Sequence, residues 1–160
     1  MASGPDGPRS RRDRASDDRA RSRRAARRLA LAAVFEAEFG QRTADAILER
    51  HLGTEGDPDV AGLAREIVGN VVLFRDALDA RITAAAPQYP VVSLARMDRA
   101  LLRCGLCEVL HSPATPTPVA IAEWVELART YSGDPMRRLM NGVLGRVARD
   151  QDATRRDTPV

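Results

Sequence analysis

The run VAIAEWVELARTYSGDPMRRLMNGVLGRVA, from Val119 to Ala148, decides the fold. Its apolar residues recur at steps of three and four on both sides of a short polar turn, the period of helices that each bury one face. Thr117–Pro118 opens the first helix, which closes at about Tyr131. Asp134–Pro135 opens the second. Met136, Leu139, Met140, Val143, Leu144 and Val147 then make an unbroken stripe. The stretch predicts two amphipathic helices joined by a turn.

The same grammar extends upstream. SPATPTP (Ser112–Pro118) is a stiff, proline-rich connection. Before it, Ser93 is placed to cap a helix carrying Leu94, Met97, Leu101 and Cys104, with Leu102, Leu106 and Val109 on a further side. A helix apolar on more than one side belongs in the centre of a bundle. A long helix over about 59–85 carries Leu63, Ile67, Val71, Phe74, Leu78 and Ile82. Asp57–Pro58 opens it, and Pro87 and Pro90 end it. A short helix spans about Thr43 to His51 and stops at Gly53. The first helix starts at about Ser22, sets Leu29, Ala33, Val34 and Ala37 on one stripe, and ends near Gly40. No alternating strand pattern competes, so the fold class is all-α: a compact helical bundle around one core or two small abutting ones. Six helices are counted. A seventh would be a break in the 59–85 segment or a turn before Met97.

At 160 residues the chain fits one domain, able to bury about two-thirds of its unfolded surface. The expected organisation is a disordered basic arm over 1–21, a helical domain over 22–150 and a disordered tail over 151–160. No apolar run approaches the length of a membrane span, and the arginine-rich start lacks the apolar core of a secretory signal. The expected compartment is the cytoplasm, with no membrane partner.

Charge is informative in its distribution. Residues 1–28 hold ten arginines against four aspartates, a net of +6, whereas the remainder holds 15 arginines against 18 acids, a net of −3. A basic arm leading into a mildly acidic body suits an anionic partner. Every one of the 25 basic residues is Arg. Arginine pairs bidentately with phosphate and stacks on bases, which suits RNA, but a GC-rich genome explains the same choice.

Catalytic chemistry finds little support. Cys104 and Cys107 in CGLC share a helix face among leucines, and His51 and His111 lack finger-like spacing. The thiols read as packing, and no metal or cofactor is expected. Glu123 and Glu126, one turn apart, read as an outward charged stripe, with Glu108 on the preceding helix. Neither a phosphate-binding glycine loop nor a recognisable Ser–His–Asp set occurs. The chain is not expected to be an enzyme.

Binding is the stronger reading. Arg21, Arg23, Arg24, Arg27 and Arg28 lie where the arm becomes helix, and 24, 27 and 28 share a face that could track one phosphate chain. Phe35 and Tyr131 are candidate stacking partners for bases, with a core position the alternative for Phe35.

Three blocks resemble one family in order along the chain: SRRAARRLALAAVFEAEF (Ser22–Phe39), MDRALLRCGLCEVL (Met97–Leu110) and the C-terminal helical pair quoted above. They are similar to the NusB family of bacterial transcription-antitermination factors. The resemblance implies seven helices in two small abutting subdomains, and binding of single-stranded boxA RNA from ribosomal operons. It also implies NusE, a ribosomal protein, as partner, with RNA polymerase reached indirectly through the antitermination complex. By position it places Arg23, Arg24 and Arg27 on the RNA side, with Phe35, Tyr131, Arg138 and Leu139 nearby. Asp98, Arg103 and Glu108 fall on the NusE side, together with Glu123 and Glu126. The chain departs from the family pattern at Ala122 (usually Asn), Leu139 (usually Phe), Pro135 (often acidic or small) and Trp124 (commonly small). Alternative readings are a helical protein–protein adaptor whose arm is incidental, and a fragment resembling the N-terminal domain of a ribosomal RNA cytosine methyltransferase. The latter requires a cofactor domain for which a chain ending at Val160 has no room. A homodimer stays open.

Overall fold

A computed structural model describes residues 10–159. Six α-helices follow one another, with no strand among the described residues: α1 Arg11–Ala37, α2 Ala44–Leu52, α3 Pro58–Ala85, α4 Arg96–His111, α5 Thr117–Tyr131 and α6 Asp134–Asp157. A short 3-10 turn, Val91–Ser93, precedes α4.

Local chemistry sets most helix starts. Thr43 caps α2 by accepting from the Ala46 N–H, and Asp57 caps α3 by accepting from the Asp59 N–H. Pro58, Pro118 and Pro135 sit in first turns, where a missing N–H breaks no helical bond. The reversal between α5 and α6 depends on Gly133, whose φ of +113° is strained for any residue with a side chain.

Three boundaries differ from the sequence expectation. α1 is helical from Arg11 rather than Ser22, because Ser10 and Asp13 form a reciprocal capping box. The residues from Arg11 to Arg21 are all exposed, so they carry no hydrophobic period to read. α6 likewise continues to Asp157, through a stretch expected to be a disordered tail. Residues 1–9 of the expected arm, and Val160, lie outside the described residues. Ser93 belongs to the 3-10 turn and does not cap α4, whose N-cap is Ala95. Of the two places offered for a seventh helix, α3 is interrupted at Phe74, where the backbone leaves helical values (φ −107°, ψ 15°) and the ring stacks on His111 at 4.0 Å, and the 3-10 turn Val91–Ser93 stands before Met97.

α4 is the centre. Every residue from Ala100 to Val109 is buried, and the helix packs against α1, α3, α5 and α6. Around it, α1 pairs extensively with α3 and α5 with α6. The buried apolar side chains join in one continuous cluster drawn from all six helices. Burial on every side of α4 demands close approach somewhere, and Gly105 provides it. A Cβ at that position would lie 3.2 Å from both Cβ and Cγ of Trp124 and 3.3 Å from Leu144 Cδ1. The large indole at position 124 is therefore accommodated by the missing side chain at 105. Gly105→Val should cost about 1–3 kcal/mol through overpacking, read as a lower urea midpoint; an unchanged midpoint would contradict this packing.

Candidate nucleic-acid interface

The arginines of α1 divide by helical position. Arg27 lies four residues before Leu31 and seven before Val34, on the buried line of the helix, and is itself only 2% exposed. Its Nε donates to both carboxylate oxygens of Glu108, at 3.0 and 2.9 Å, and Glu108 is wholly buried. Nη2 sits 2.9 Å from Oε1, close enough for ion pairing though off the line of a hydrogen bond. The carboxylate also accepts from the indole Nε1–H of Trp124 at 2.7 Å and from the Thr115 hydroxyl at 3.3 Å. Arg23 donates in turn to Thr115 Oγ1. Its pKa is lowered by partial burial and by the adjacent charge of Arg27.

The structure thus corrects two expectations. Arg27 does not present its guanidinium to an RNA strand, and Glu108 does not present a carboxylate to a protein partner; each is consumed by the other inside the core. Arg103 is a third correction. It is nearly buried, holds Asp79 bidentately at 2.8 and 2.9 Å, and also pairs with Glu38. Hydrogen bonding to Asp79 raises its pKa. Arg99 shares Glu38 at 2.7 Å, so this ionic cluster joins α1, α3 and α4.

Other expected site residues are placed as follows. Arg23 is partly buried on Thr115. Asp98 is half-buried and accepts a 2.7 Å hydrogen bond from Ser132 in the α5–α6 turn. Glu123 faces Arg24, whose Nε lies 3.1 Å from both of its oxygens. Glu126 is exposed and paired along its own helix with Arg129, which lowers its pKa. Arg138 is exposed, whereas Leu139 packs partly against the core.

What remains on the surface is continuous. Arg21, Arg24 and Arg28, spaced three and four apart, line a groove of about 350 Å³ with Asp17 and Ala20. Arg28 also lines the next cleft, of about 360 Å³, which contains Phe35, Phe39, Met97, Tyr131 and His51. Phe35 and Phe39 meet edge to face at 5.4 Å, and the Arg96 guanidinium lies 4.6 Å over the Phe39 ring. Phe39 is 52% exposed and Tyr131 46%, so ring surface is presented to solvent. At the cleft wall His51 Nε2 is 3.2 Å from Glu36, whose pKa is lowered by Arg50 first and His51 second. A guanidinium track running into an aromatic cleft offers phosphate contacts and stacking surface to one strand. The cleft brings the two candidate stacking rings, Phe35 and Tyr131, together; Phe39, Met97 and His51, which also line it, Arg96 over the Phe39 ring and the buried indole of Trp124 were not among the expected site residues.

Cys104 and Cys107 are free and buried. Burial pushes the Cys107 thiol up to about 12, and its Sγ–H donates to the Ile67 carbonyl at 3.7 Å. Among the described residues no cluster of His, Cys, Asp and Glu is placed to hold a metal, and no helix is long and apolar enough to cross a membrane.

Removing one member of the buried pair leaves the other as an unmatched interior charge. Glu108→Leu should therefore cost about 3–5 kcal/mol in chemical denaturation. Adding Arg27→Met should restore part of the loss, the remainder reflecting the unpaired indole N–H at about 1–3 kcal/mol. Equal stability of Glu108→Leu and wild type would remove the pair from the fold's foundations.

Residues 24–149 match the model of the NusB family. Among curated relatives, the transcription antitermination protein NusB of Symbiobacterium thermophilum is 37% identical, covering 80% of this chain and 90% of its own length. That of Kineococcus radiotolerans is 35% identical, covering 79% of this chain and 93% of its own. Among solved structures, T. maritima NusB superposes with a TM-score of 0.75 at 27% identity, over 80% of this chain and 91% of that one. A complex of antitermination factors NusB and NusE with dsRNA gives a chain of the same fold, with a TM-score of 0.73 at 18% identity, over 81% of this chain and 98% of that one.

Proposed function

Because the chain belongs to the NusB family, we propose that it is a transcription antitermination factor binding single-stranded boxA RNA of ribosomal operons together with NusE. The observation that carries this reading is the exposed track of Arg21, Arg24 and Arg28 leading at Arg28 into the cleft of Phe35 and Tyr131. The guanidiniums take successive phosphates, and the rings take unstacked bases, each stacked base contributing about 1–3 kcal/mol. Arg23 supports the track from behind through Thr115. Arg138, exposed on α6, is a further basic residue expected on the RNA side, and Leu139 beside it packs partly against the core. Of the expected NusE side, the exposed Glu126 on α5 is the residue that a partner reaches most readily, and Asp98 on α4 is half-buried against Ser132. The protein's work is binding with no chemical step, in the cytoplasm where transcription takes place.

The experiment is a titration of boxA RNA against a scrambled strand, with and without NusE. BoxA is expected to bind more tightly, and the preference to grow when NusE is present. Log affinity should fall with log salt by about 0.7 per phosphate neutralised. Tyr131→Ala should weaken boxA binding by about 1–3 kcal/mol while leaving the salt slope unchanged. Equal affinity for both strands with NusE present would reduce the protein to a non-specific polyanion binder.

A further inference from the structure

Glu123 stands apart from the other acids near the arginine track. It reaches from α5 across to α1, where the Arg24 Nε lies 3.1 Å from each of its oxygens. Its second oxygen is also 3.9 Å from Arg27 Nη1. Arg27 has no need of this contact, since Glu108 already accepts two hydrogen bonds from it in the core. Arg24, by contrast, is 58% exposed at its side chain and lines the open groove with Arg21 and Arg28. Arg21 has an exposed aspartate one turn away, Asp18, at 3.5 Å. A carboxylate therefore occupies the guanidinium face that a phosphate of a bound strand would take.

The geometry points to Glu123 as an affinity-setting residue for RNA: a built-in anion that competes with phosphate for Arg24. This rests on the RNA-binding reading above. A carboxylate and a phosphate oxygen make the same charge-assisted bonds to a guanidinium, so they exclude one another at Arg24 Nε. A strand binding the track must displace Glu123, which penalises every RNA by the same amount. A strand that also fills the aromatic cleft overcomes that penalty, whereas one held by phosphates alone is held weakly. Glu123 thus raises the threshold for binding without reading a base.

The pair is solvent-facing, so its energetic effect is modest. Glu123→Gln keeps the shape of the side chain and leaves the Glu108–Arg27–Trp124 centre intact, so the variant should melt with the wild type. It should bind boxA and scrambled RNA each about threefold more tightly at low salt, the scale of an exposed ion pair. The gain should vanish at high salt, where the pair is screened in both forms. Arg24→Ala should weaken binding, and Glu123→Gln should add nothing in that background. Glu49→Gln, which removes the same charge from the exposed pair with Arg65, is the control for net charge. Affinity of Glu123→Gln equal to or below wild type would overturn the proposal, as would a gain that survives Arg24→Ala or is matched by Glu49→Gln. In those outcomes wild-type RNA binding persists, and the RNA reading stands. Wild-type protein with no affinity for either strand would remove that reading and this one together.

Discussion

A single carboxylate with no access to water organises this molecule. Glu108 sits in the middle of the central helix, fully buried, and transferring such a charge into a protein interior costs several kcal/mol unless it is matched. The match comes from three directions: the Arg27 guanidinium of α1, the Trp124 indole of α5 and the Thr115 hydroxyl of the connection between α4 and α5. Arg27 and Trp124 lie on other helices, so the requirement to satisfy Glu108 fixes how α1 and α5 lie against α4. Apolar packing alone tolerates small slides between helices; a carboxylate demanding several donors at about 3 Å does not. Gly105 and Trp124 express the same constraint sterically, since the indole reaches Glu108 only because the adjacent α4 position carries no side chain.

Fixing Arg27 inward determines what points outward. Arg21, Arg24 and Arg28 follow one another at helical spacing along the solvent side of α1, so their alignment is a consequence of the interior pair. The same rotation sets Phe35 two turns on from Arg28, at the edge of the cleft shared with Tyr131. Like residues are thereby divided between two environments: the interior arginines 27 and 103 hold helices together, whereas Arg21, Arg24 and Arg28 lie on the solvent side of α1. Glu123 marks the border, paired with an outward arginine yet not required by the core.

Most of the fold was legible in the sequence because helices announce themselves through period and punctuation. Asp57–Pro58, Thr117–Pro118 and Asp134–Pro135 marked three starts, and the interruption in the long third helix appears at Phe74. The extensions of α1 and α6 were illegible for a physical reason: exposed on all sides, they have no apolar stripe, and the Ser10–Asp13 box is their only signal at the first of these ends. The division of the arginines was also hidden. Spacing places 24, 27 and 28 near one another but does not say which faces inward. The sequence nonetheless carries a clue. Arg27 continues the line of Leu31 and Val34, Glu108 continues that of Leu101 and Cys104, and Trp124 lies between Ala120 and Ala128. Opposite charges on two buried lines imply one another. Which exposed acid leans on which exposed arginine, as Glu123 does on Arg24, depends on tertiary placement that no local pattern encodes.

The central claim is that Arg27 and Trp124 belong to the interior while Arg24 and Arg28 belong to the ligand, and a ¹⁵N-detected titration of RNA into the protein tests it directly. Trp124 is the only tryptophan, so its indole N–H gives one unambiguous signal. That signal and the Arg27 Nε–H should exchange slowly with solvent and stay nearly fixed as RNA is added, while the Arg24 and Arg28 Nε–H signals move. A freely exchanging indole, or an Arg27 signal that shifts ahead of Arg24 and Arg28, would contradict the account.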